Sequence, residues 1–153
     1  MFHLANIGKR ATITAVADCG RLDHLHVLVI DDNSDAREIF RSVISYAGAL
    51  VTVATSAEKA LKVIRHIRPD IMLVDLAMPR QDGAWLIARV RQLRPDRGGD
   101  IPAVAVTAFD DEYRRSDMLA AGFHEFLVKP VGTEQLCQVI ERLTSLAPFT
   151  GRR

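Results

Sequence analysis

Short apolar runs that alternate with stretches of helical period constrain this chain more than any other feature. The runs cover residues 25–30, 50–54, 71–74, 103–106 and 126–128, and each is too short for a helix and rich in valine, leucine or isoleucine. Continuous apolar runs of this length suit strands buried on both faces of a sheet. Between the first two, Ala36, Ile39, Phe40, Val43, Ile44 and Ala47 fall on one face of a helix that Gly48 ends. Ala57, Ala60, Leu61, Ile64 and Ile67 predict a second helix stopped by Pro69, and Leu86, Val90 and Leu93 a third stopped by Pro95. A fourth, less periodic, is expected from about Asp111 to Ala121, ahead of Gly122. The last carries Leu136, Val139, Ile140, Leu143 and Leu146 on one face, with Thr133 as its expected N-cap. Strand and helix thus alternate throughout, which predicts an α/β fold, a doubly wound five-stranded parallel sheet of (βα)5 topology. The run 27–30 is expected to be its central strand.

With 153 residues, 48% of them hydrophobic, the chain can bury one core without disulfides or metals. The expected organisation is an unassigned N-terminal extension at 1–22, one domain at 23–147 and a tail at 148–153. A formal charge of +1, with the basic residues scattered, argues against direct nucleic-acid binding. Cys19 and Cys137 are too far apart and too few for a disulfide framework or a cysteine zinc site, so a reducing cytoplasm is the expected setting. Cys137, at helical spacing, reads as core. No run approaches the roughly 18 apolar residues of a membrane span. Residues 11–18, ATITAVAD after Lys9-Arg10, imitate a short signal peptide, a reading ranked below a plain extension. The stretch RPDRGGD at 94–100 reads as a surface loop.

In open parallel α/β sheets, ligands bind beyond the carboxyl ends of the strands. There the chain places Asp31 and Asp32 after the first run, Asp75 after the third, Thr107 after the fourth and Lys129 after the fifth. Taken singly, each has a plain structural reading: a solvated turn for the acid pair, a surface residue for Thr107 or Lys129. Together they imply chemistry. Three carboxylates converging on one cleft repel one another, and a hard divalent cation resolves the repulsion. Oxygen ligands without histidine or cysteine favour Mg²⁺, which keeps waters and binds phosphate oxygens. Lys129 offers a point charge and Thr107 a hydroxyl to a phosphoryl group, and aspartate is a known phosphoryl nucleophile, so Asp75 is a candidate acceptor.

The segments VLVIDDN (27–33), DLAMPRQDG (75–83), AVAVTA (103–108) and GFHEFLVKP (122–130), in this order, resemble the receiver domain of two-component response regulators over about residues 25–147. The resemblance implies the flavodoxin-like strand order 2-1-3-4-5. It implies that Asp75 takes a phosphoryl group from a histidine kinase or a histidine phosphotransfer protein. Asp32 and Asp75 would ligate Mg²⁺ directly, Asp31 through a water, and the backbone carbonyl of Ala77 would complete the protein ligands. Thr107 matches the switch hydroxyl, Lys129 the phosphate-binding lysine and Phe126 the switch aromatic; Pro130 matches a cis-peptide position that aims the lysine inward. Met78-Pro79 and Gly83 match the loop after the acceptor, where the glycine permits a close turn. Ala77, where many members carry a longer or polar side chain, and Phe109 depart from common choices at positions that modulate water access to the phosphoryl group.

The function so implied is a phosphoacceptor signalling module whose modification remodels the face of the fourth helix, fifth strand and fifth helix, changing the binding of a downstream protein target. It is not an enzyme beyond self-phosphorylation and autodephosphorylation at Asp75. A homodimer through the fourth-helix and fifth-helix face is compatible with the resemblance, with Tyr113, Arg114, Arg115 and Asp117 supplying mixed charge. A receiver cut from a hybrid histidine kinase is an alternative origin. An alternative of another class is a Mg²⁺-dependent phosphatase or phosphotransferase using the same aspartate, disfavoured because Asp75-Leu76-Ala77 lacks a second acid to protonate a leaving group. A nucleotide-binding domain is disfavoured because no glycine-rich phosphate loop follows any strand.

Overall fold

The computed structural model describes residues 21–108 and 113–146. In chain order the elements are β1 (His26–Ile30), α1 (Ser34–Tyr46), β2 (Leu50–Ala54), α2 (Ala57–His66), β3 (Ile71–Asp75), α3 (Gly83–Arg91), a 3₁₀ turn (Pro95–Arg97), β4 (Ala103–Thr107), α4 (Arg115–Ala121), β5 (Glu125–Val128) and α5 (Thr133–Leu146). All strand pairs are parallel and the order across the sheet is β2-β1-β3-β4-β5, as expected. The middle strand is β3 and not β1, which lies between β2 and β3.

The period of two along each strand sorts its residues onto two faces. Val27 and Val29 of β1, Ile71 and Leu73 of β3, and Val104 and Val106 of β4 share one core with Phe40, Val43 and Ile44 of α1 and Leu136, Cys137 and Ile140 of α5. The alternating residues Leu28, Ile30, Met72, Val74, Ala103 and Ala105 share the other with Ala60 and Ile64 of α2, Leu86, Ile87 and Val90 of α3, and Met118 of α4. Each large aliphatic side chain so buried contributes about 2 kcal/mol against exposure. The edge departs from the continuous-burial expectation. In β2 only Ala54 is buried and Leu50 is 65% exposed, because an edge strand lacks a neighbour on one side.

Helix starts follow from capping side chains. Asn33, directly after the Asp31-Asp32 pair, accepts from the Ala36 amide; Ser56 and Asp82 do the same for α2 and α3, from Lys59 and Trp85. Thr133 is the first residue of α5 and not its cap; the Gly132 carbonyl accepts from the Leu136 amide. The fourth helix starts at Arg115, later than expected, because Arg114 is extended (φ −90°, ψ 135°). Asp111 lies outside the described residues. Leu22, placed by sequence in the extension, is fully buried, and its amide donates to the Ala47 carbonyl at 2.8 Å. Among the described residues no helix is long and apolar enough to cross a membrane.

Candidate functional site

Strand register brings the site together. Ile30 pairs with Val74, Asp75 with Val106 and Thr107 with Val128, so the residues that end or follow β1, β3, β4 and β5 line up along one edge of the sheet. The Lys129 amide donates to the Thr107 carbonyl at 2.8 Å, extending the β4–β5 ladder to the site. All five predicted polar side chains therefore end or follow adjacent strands whose inner residues are apolar and buried.

Asp31 is 1% exposed, and its two carboxylate oxygens have different partners. Oδ1 accepts from the Asn33 amide at 2.9 Å and Oδ2 from Lys129 Nζ at 2.8 Å. Arg37, one turn into α1, donates from Nη1 to the Asp31 carbonyl at 2.9 Å. Sequence reasoning passed over Arg37; the signal available was a basic residue in the helix that starts right after the acid pair. Asp32 is exposed. Asp75 is 7% exposed; its Oδ1 accepts from the Ala77 amide at 3.3 Å and lies 4.0 Å from Lys129 Nζ. Carboxylate oxygens of Asp31, Asp32 and Asp75 all lie within 4.8 Å of one another.

The electrostatics follow from this crowding. Burial is the largest influence on Asp75 and the nearby Asp31 charge the next; they push its carboxyl up to about 6, against the opposing pull of Lys129 and the Ala77 amide. One lysine is shared between two buried acids, so the cleft holds more negative charge than it neutralises.

Thr107 is fully buried at the same edge, and Phe126, 7% exposed, packs in the core beneath α2, α3 and α4. The Lys129–Pro130 bond is cis. Ala77 is exposed beside Asp75, and Phe109 lies outside the described residues. The loop after Asp75 turns where Gly83 sits against it: a Cβ there would meet the Asp75 carbonyl at 2.9 Å and Leu76 Cα at 3.0 Å.

On the neighbouring face, Glu125 of β5 joins two elements, paired with Arg115 of α4 at 2.6 Å and Arg142 of α5 at 2.7 Å. Arg115 also donates from Nη1 to the Phe126 carbonyl at 3.2 Å. Tyr113 and the exposed residues Arg114, Arg115 and Asp117 lie at the start of α4, and Leu119 and Val128 are partly exposed nearby in sequence, on α4 and β5.

The family model of the response regulator receiver domain matches residues 27–141. The chain belongs to the receiver domain family. Among relatives of this receiver domain is an uncharacterized 14.6 kDa protein in the sodA1 3′ region of Leptolyngbya boryana, 38% identical over 121 residues that cover 79% of this chain and 91% of the relative. The response regulator MprA of Mycobacterium leprae is 35% identical over 119 residues, 78% of this chain but 50% of the relative. The receiver thus spans about half the length of that regulator. The fold is shared with the solved receiver domain of the sensor histidine kinase PA1611 of Pseudomonas aeruginosa, with a TM-score of 0.72, 24% identity, and coverage of 79% of this chain and 98% of that one. That structure holds a magnesium ion coordinated in its active site cleft. As a receiver domain the chain is a phosphoacceptor signalling module of two-component systems, and the small-molecule phosphatase alternative is not favoured.

Proposed function

We propose that Asp75 is the phosphoacceptor of this receiver domain. The observation that carries the reading is the placement of Asp75 at the end of the middle strand, buried, within 4.8 Å of two other carboxylates and beside Lys129. A phosphohistidine on a histidine kinase or a histidine phosphotransfer protein is the donor. A P–O bond forms on an Asp75 oxygen while the P–N bond of the phosphohistidine breaks, its electron pair returning to the imidazole. Lys129 Nζ, already between Asp31 and Asp75, is placed to hold a phosphoryl oxygen, and Thr107 reaches the same edge from β4. Movement of Thr107, with repacking of Phe126 inside the core where it is already buried, is the switch in this reading.

The donor set fits a hard divalent cation: it is all oxygen, close-set, and shares one lysine between its two buried acids. Asp32 and Asp75 would hold Mg²⁺ directly, Asp31 through a water, and the Ala77 carbonyl as the remaining protein ligand. When bound, the ion neutralises charge on the phosphoryl oxygens. The magnesium in the cleft of the Pseudomonas receiver supports this assignment.

The output is a changed protein-interaction surface on α4, β5 and α5, including self-association through α4 and α5. Incubation with acetyl phosphate and Mg²⁺ tests the acceptor. Intact-mass analysis is expected to show a single phosphoryl adduct that is absent from Asp75→Asn; an adduct that persists in Asp75→Asn overturns the assignment.

A further inference from the structure

The phenol of Tyr113 lies well away from the acids in sequence but close to the peptide that touches Asp75. Its hydroxyl is 3.3 Å from the Leu76 carbonyl and 3.3 Å from Asp82 Oδ2. The Leu76 carbonyl and the Ala77 amide belong to one planar peptide unit. The amide side of that unit donates to Asp75 Oδ1 at 3.3 Å, and its carbonyl side also accepts from the Gly83 amide at 3.1 Å. Asp82 is itself the cap of α3, accepting from the Trp85 amide through its other oxygen at 2.9 Å. The tyrosine thus spans both ends of the loop that follows the acceptor, from Leu76 to the start of α3.

We infer that Tyr113 is a positioning residue for the acceptor, holding the Leu76–Ala77 peptide so that its amide points at the Asp75 carboxylate. The inference rests on the reading of Asp75 as acceptor. Two donors on one carbonyl oxygen fix the tilt of the peptide plane, where the Gly83 amide alone leaves a pivot. Donation to the carbonyl also polarises the peptide and strengthens the hydrogen bond its amide makes on the far side. The ring is half-buried against the core beneath α3 and α4, so the hydroxyl is delivered by a packed body. The phenol donates its one proton to the Leu76 carbonyl in this inference, which leaves the 3.3 Å approach to Asp82 Oδ2 as a contact and not a second donation.

The test compares the full wild-type chain with Tyr113→Phe, which keeps the ring and removes the hydroxyl. Amide NMR of the unphosphorylated proteins is expected to show the Ala77 proton moving upfield in Tyr113→Phe. Phosphoryl incorporation from acetyl phosphate with Mg²⁺ is expected to slow ~5-fold, the scale of one lost hydrogen bond. An unmoved Ala77 amide overturns the inference whatever the rate does, since the tyrosine then acts by another route. A shifted amide with an incorporation rate within about twofold of wild type also overturns it. Failure of the wild type to take up a phosphoryl group overturns the acceptor reading instead, and the Ala77 shift would still report whether Tyr113 orients that peptide.

Discussion

Asp75 carries two opposing demands: it is buried at the end of the middle strand, yet as the proposed acceptor it needs an ionised oxygen. Burial and the Asp31 charge raise its carboxyl from the ordinary 3.8 to about 6. The fold favours the protonated acid, so this group's contribution to stability is fully present below pH ~4 and lost as pH rises through about 6. Asp75→Asn, which cannot ionise, is therefore expected to be more stable than the wild type near neutral pH without divalent cations, by ~2 kcal/mol. Urea denaturation at several pH values checks this: the difference should shrink toward pH ~4 and shrink again when Mg²⁺ is added to the wild type at neutral pH. The five polar residues of the site were legible in the sequence because each stands at the end of an apolar run. Tyr113 and Glu125 were not legible as partners, because their contacts cross between elements distant in sequence and have no local periodicity.

Elements place these residues through register. Parallel pairing aligns the strand ends, so a sequence that supplies apolar runs of similar length delivers its terminal polar residues to one edge. That rule made the fold legible, while the edge exposure of β2, the first position of α5 and the late start of α4 depend on neighbours and backbone angles that a single segment does not encode. A second device joins the entry of β5 to α3. Arg91 donates to the carbonyls of Gly99 and Gly122, and His124 Nδ1 accepts from the Ala103 amide at 3.1 Å. That hydrogen bond needs Nδ1 unprotonated. Partial burial, and then the Arg91 charge, hold the imidazole below its ordinary value. With the folded value depressed, the contribution is complete above pH ~6.5 and lost as pH falls through the folded value. His124→Asn keeps an acceptor but does not titrate. Its melting temperature is therefore expected to fall less than that of the wild type between neutral and mildly acidic pH, as thermal denaturation would show.

For the whole molecule, the site at one edge and the α4–β5–α5 face are joined by strands β4 and β5, which carry Thr107 and Phe126, and by Glu125, which bridges Arg115 and Arg142. If phosphorylation remodels that face into a self-association surface, light scattering should give a higher mass with beryllofluoride and Mg²⁺ than without, and Leu119→Asp should remove the increase. Equal masses under both conditions exclude phosphorylation-driven dimerisation and leave a different protein as the target. All of this depends on Asp75 as the proposed acceptor. Borohydride reduces an aspartyl phosphate to homoserine, so the chain can be treated with acetyl phosphate and Mg²⁺, reduced and sequenced by tandem mass spectrometry. Homoserine is expected at position 75 alone; homoserine at position 31 or 32, with aspartate intact at 75, would overturn Asp75 as the acceptor.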